Sequence, residues 1–199
     1  MRLPTVPMLS QSQILKNSAE IRRFSDRIHT TVRTRSNSPE DRAQWEDACA
    51  EFHRKFDSLC FPGGTEMFNR VRKNDPEALE AAIRFLVADP YHFRSGYLKE
   101  NLWRWLRHCR LSPSARNRLE KAAFLYLDRR ISREFWSMCK AMPQLGGTDF
   151  WAQVSLRART QGSPEALRAL YLLTFGANIH AGAKLRHSIY RARIEQKYG

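Results

Sequence analysis

The sequence predicts an all-α protein of about nine to ten helices. Three observations predict it. Four segments place a capping side chain directly before a proline at the first helical position: Ser38-Pro39, Asp75-Pro76, Ser112-Pro113 and Ser163-Pro164. The capping oxygen accepts an orphan backbone N–H, and proline has no N–H to orphan. Apolar residues then recur at three- and four-residue steps, with no sustained period-two alternation of the kind a strand needs. Gly and Pro punctuation falls between these runs, at Pro62-Gly63-Gly64, Asp89-Pro90, Pro143 with Gly146-Gly147, and Gly176 with Gly182.

Taken in order, a first helix spans 11–33, with Ile14, Ile21, Ile28 and Val32 as a sparse apolar stripe. That stripe is too narrow for a core helix, so it should dock on the body or on a partner. Further helices fall at 39–60, 64–73, 76–88, 95–109, 113–130, 132–142, 148–161, 164–176 and 184–197. Thr148-Asp149 is a weaker start than the four proline boxes. Helix 164–176 carries Leu167, Leu170, Tyr171, Leu172, Leu173 and Phe175 nearly all round and should be buried. Ser38, Asp75 and Ser112 lie 37 residues apart, close to the length of a two-helix solenoid repeat. Pro-Glu-Ala-Leu recurs at Pro76 and Pro164, an offset of 88 that breaks the period. An irregular helical bundle and a short HEAT-like stack of two-helix units are the two architectures left open. Residues 1–37 read as a basic N-terminal arm with one amphipathic helix, and 38–199 as a single all-α domain.

Charge is unevenly spread along the 199 residues. The net charge is +14, yet residues 39–90 carry seven Lys/Arg against eleven acidic residues. Residues 91–141 reverse this, with twelve Lys/Arg, four acidic residues and nine aromatics. Cations beside flat rings are what a phosphate backbone and exposed bases require. Arg outnumbers Lys 26 to 8, which suits bidentate phosphate contacts, although a codon bias toward Arg would give the same ratio.

Within that segment, Leu98, Leu102, Trp105, Leu106 and Cys109 form the expected core stripe of helix 95–109. Trp103 lies off it, one turn from Lys99 and from Arg107, with Arg104 adjacent. On helix 132–142 the inward stripe is Phe135, Met138, Cys139 and Met142, while Arg133, Trp136 and Lys140 share another face. Arg129 and Arg130 sit just upstream. These nine residues (Lys99, Trp103, Arg104, Arg107, Arg129, Arg130, Arg133, Trp136 and Lys140) are the candidate nucleic-acid contacts. The alternative for each Trp is packing at a core margin under an Arg or Lys stem. The loop from Pro90 to Tyr97 is dense in rings and serves either as a plug for a helical layer, the favoured reading, or as a clamp.

Catalytic and metal readings fail on spacing. Cys49 and Cys60 share a helix face with His53, but eleven residues of helix rise about 16 Å, too far for one ion. Asp47 and Glu51 read as a solvated acidic face. No Gly-rich phosphate loop, HExxH or nucleophile elbow occurs, so no catalytic residue, metal or cofactor is expected. The four scattered cysteines suggest reduced thiols in a cytoplasmic setting. No stretch is apolar enough to span a bilayer, and the start lacks the apolar core of a secretory signal; an Arg- and Ser-rich transit segment is the minor alternative to a basic arm. The sequence therefore points to a non-enzymatic nucleic-acid-binding protein or nucleoprotein subunit, without choosing RNA or DNA. The alternative is a helical protein–protein adaptor. Other subunits would dock through the acidic 39–57 helix or the arm.

Overall fold

Each of the four proline boxes opens a helix. The Ser38, Asp75, Ser112 and Ser163 side chains accept the N–H of Asp41, Ala78, Ala115 and Ala166 at 3.1, 3.0, 3.2 and 3.0 Å. The computed structural model describes residues 9–160 and 162–198, and side-chain surroundings within that range up to residue 190. Residues 1–8 of the expected arm, and position 161 at the expected end of the eighth helix, lie outside the described residues. Ten α-helices and one short 3-10 turn are present among them, and no strand. They are α1 (Gln11–Thr31), α2 (Pro39–Cys60), α3 (Gly64–Arg70), α4 (Pro76–Ala88), α5 (Ser95–Leu106), α6 (Pro113–Leu127), α7 (Arg133–Leu145), α8 (Thr148–Ala158), α9 (Pro164–Ala177) and α10 (Ile179–Tyr198). None of the described helices is long and apolar enough to cross a membrane.

Two expected breaks are not breaks. Helix α7 passes Pro143 and ends at Leu145, so the missing proline N–H falls only in its last turn. Helix α10 starts at Ile179 rather than 184, because Asn178 caps it: its Oδ1 accepts the N–H groups of His180 and Ala181 at 2.8 and 3.1 Å. Gly182 therefore lies inside the helix. A Cβ there would fall 2.4 Å from the Phe175 ring, so the glycine permits a close crossing of α10 over α9.

The chain divides into two compact units, one up to Leu98 and one from Lys99 onward. In the first, α1 lies along α2 and α4 and buries Ile14, Ser18, Ile21 and Phe24. The Ser18 hydroxyl donates to the Tyr91 carbonyl at 2.8 Å, and Arg27 pairs with Glu51 of the acidic helix. The arm helix thus belongs to this unit and uses part of the acidic face of α2. The 90–97 loop is a plug at its centre, where His92 and Ser95 are buried and Phe93 meets Phe52 and Phe56 edge-on. Tyr91 and Tyr97 remain exposed on either side of it.

In the second unit α9 touches α6, α7, α8 and α10, so this unit is a helical bundle or stack gathered on α9. Its inward face is Ala166, Ala169, Leu172 and Phe175, whereas Leu167 and Leu170 are 47% and 49% exposed. The expectation of burial all round is corrected to burial on one face.

Both candidate stacking tryptophans are also corrected. Trp103 is 0% and Trp136 1% exposed. Trp103 meets Tyr126 edge-on at 5.9 Å, and Trp136 packs on Phe135, Tyr171 and Phe175 at 5.1, 5.7 and 6.2 Å between ring centres. The cause is that each helix is covered on more than one side, which widens the buried arc beyond a single three-four stripe. In α5 that arc runs through Lys99, Leu102, Trp103 and Leu106, leaving Trp105 half-buried at its edge. Trp136→Ala should cost about 3–5 kcal/mol of stability in denaturant unfolding, as loss of a buried ring does. A tryptophan serving an interface would instead leave stability within about 0.5 kcal/mol.

Candidate functional site

Beside its buried arc α5 carries Glu100 and Arg104, and Arg107 follows in the turn just after the helix. On α7, Arg133, Ser137 and Lys140 lie one turn apart at each step and flank the buried Trp136. Helix α10 adds Ala183, Arg186, His187 and Tyr190. The second unit brings these three stripes together around a cleft. A narrow lobe of about 150 Å³ is lined by Glu100, Arg104, Arg107, Ser137, Lys140 and Arg186. A wider lobe of about 540 Å³ is lined by Arg133, Lys140, Ala183, Arg186, His187 and Tyr190. Lys140 and Arg186 border both.

Glu100 is the one carboxylate among the described residues lining the cleft. It bridges two helices, accepting Arg104 at 3.1 Å along α5 and facing Arg133 of α7 at 3.4 Å. One acid thus sits between guanidinium groups carried by two different helices. The Arg107 Nε–H donates to His108 Nε2 at 2.8 Å. Arg186 lies over the ring of Tyr190 at 5.4 Å, so cation and aromatic reach the wide lobe as one unit.

Lys140 feels this crowding. Burial holds it below the usual lysine range, with Arg186, Arg107 and Arg104 adding repulsion and Glu100 drawing it partly back. Lys140 thus stands among three other cations that line the same narrow lobe.

Four sequence-derived contacts meet here: Arg104, Arg107, Arg133 and Lys140. The other five do not. Trp103 and Trp136 are core, and Lys99 is only 1% exposed, within the buried arc of α5. Arg129 lies over Tyr126 at 3.9 Å and reaches Glu134 at 3.5 Å, a local structural role. Arg130 is exposed but does not line the cleft. Sequence reasoning missed Arg186, His187 and Tyr190. The signal was present as an Arg four residues before a Tyr, on a helix whose start was placed too late.

Elsewhere two buried thiols are held in the protonated form. Burial, aided by Asp57, pushes Cys60 up to about 11, and burial raises Cys139 well above its ordinary value. No group of three or more His, Cys, Asp or Glu among the described residues is placed to hold a metal ion. Comparison with protein-family models, curated proteins and solved structures returns no match.

Lys140→Met should raise the thermal midpoint by about 1–3 °C at neutral pH, since it removes a repelled, partly buried charge. Lys140 releases its proton at lower pH in the fold than in the unfolded chain. Its unfavourable contribution is therefore full below the folded-state value and fades as pH rises through it. The gap between variant and wild type should accordingly narrow in alkaline solution, as read by thermal scans across pH.

Proposed function

We propose that this protein is a non-enzymatic nucleic-acid-binding protein, or a subunit of a nucleoprotein complex, that holds phosphates in the cleft between α5, α7 and α10. The observation that carries this reading is the convergence of Arg104, Arg107, Arg133, Lys140 and Arg186 on one cavity with a single carboxylate among its described lining residues. Cations brought together without matching acids raise the local anion concentration, and Arg forks suit phosphate oxygens. Exposed Tyr190 supplies a ring at which a base can stack, the role that the sequence assigned to Trp103 and Trp136. The four cysteines form no disulfide, in keeping with action in the cytoplasm.

A second reading, a helical adaptor, is favoured by a different surface. Leu156 of α8 is 66% exposed, and with Leu167 and Leu170 of α9 it leaves large apolar side chains in water. Exposed apolar patches mark protein contacts. Leu167→Glu with Leu170→Glu separates the two readings, because it would abolish an adaptor contact and leave oligonucleotide binding intact.

With a single-stranded oligonucleotide of random sequence, the apparent dissociation constant should rise about 50-fold between 50 and 200 mM salt, given about four phosphate contacts. Arg104→Glu, Arg107→Glu and Arg186→Glu together should weaken binding by at least about 100-fold, with the circular-dichroism spectrum unchanged. Unaltered affinity in that variant would overturn the proposal.

A further inference from the structure

The two lobes of the cleft differ in size and in chemistry, and the difference specifies what part of a nucleic acid fits. The narrow lobe sets Arg104, Arg107, Lys140 and Arg186, with the Ser137 hydroxyl, around a space of about 150 Å³. That is less than a third of the space in the wide lobe. The wide lobe, about 540 Å³, has fewer cations for its size and carries Tyr190 and His187. Lys140 and Arg186 stand where the lobes meet.

Charge distinguishes a strand end from its interior. An internal phosphodiester carries one negative charge and continues as chain on both sides. A phosphomonoester carries about −1.5 to −2 near neutral pH and presents three acceptor oxygens. Four cations against one carboxylate among the described residues of the narrow lobe exceed what one diester neutralises and favour a dianion over a monoanion. The smaller and more cationic of the two lobes also suits a compact terminal group more than a nucleoside.

Resting on the proposed nucleic-acid reading, we propose that the cleft is an end-binding site: the narrow lobe takes the terminal phosphomonoester of a single strand, and the wide lobe takes its first nucleoside, stacked at Tyr190. Arg107 lines the narrow lobe alone, and Tyr190 the wide lobe alone, so the two roles separate by substitution.

The test compares one labelled oligonucleotide in three forms, with a 5′ phosphate, with a 3′ phosphate, and with hydroxyls at both ends, by fluorescence anisotropy with the full chain. One phosphorylated form should bind at least about tenfold more tightly than the unphosphorylated strand. Arg107→Gln should remove most of that advantage, while Tyr190→Ala should weaken all forms by a similar factor and leave the advantage in place. Equal affinity for all three forms overturns end recognition and leaves phosphate-backbone binding standing. Binding of none of them at low salt overturns both. A mononucleotide that displaces the phosphorylated strand at equal concentration would show that a free nucleotide, not a strand end, is the ligand, and would overturn the proposal.

Discussion

Burial of Trp136 fixes the rotation of α7, and the cleft follows from it. Its ring packs on Phe135 of its own helix and on Tyr171 and Phe175 of α9. With that ring inward, Arg133 and Lys140, three residues before and four after it, necessarily stand at the margin of the buried arc. The same Phe175 ring is the surface that Gly182 crosses, so α10 is set against α9 at the point where α9 meets α7. Arg186 is four residues beyond Gly182, one turn along α10. The approach of Lys140 to Arg186 thus rests on a continuous apolar contact through Phe175.

That approach is electrostatically unfavourable in the absence of an anion. Ion pairs elsewhere are local and matched, as Arg70 is by Asp75 and Glu77, or Arg84 by Glu80. In the cleft, five cations and one carboxylate, Glu100, line the cavity among the described residues. The apolar contacts beneath hold them together against repulsion, because turning α7 to relieve Lys140 would bring Trp136 out of the core. Stability stored in rings and spent on a charged cavity is the usual trade at a binding site.

Much of this was legible from residue order, and the limits have physical causes. Caps and prolines mark helix starts through local hydrogen bonds that need no tertiary partner, and Ser38, Asp75, Ser112 and Ser163 all cap as read. Glycine is different, since its meaning depends on what approaches it; Gly182 reads as a break and acts as a contact. The cations Arg104, Arg107, Arg133 and Lys140 were identifiable because charge is rarely buried unpaired. The neighbouring rings were not, because an apolar stripe defines only one buried face. Trp103 and Trp136 lie just beyond that stripe, where a second packed neighbour decides their fate. Lys99 shows the same limit for a charge, occupying a place in the buried arc that periodicity gave to leucines.

The position of Glu100 explains why a cationic cleft keeps any acid. Without it, the forks of Arg104 and Arg133 would sample many rotamers, and ordering them on a ligand would cost roughly 0.5–1.5 kcal/mol per side chain. By accepting an N–H from Arg104 and facing Arg133, Glu100 ties forks from two different helices to one point. A second carboxylate would have made the cleft less positive. One shared acid links the two helices and still leaves the described lining positive.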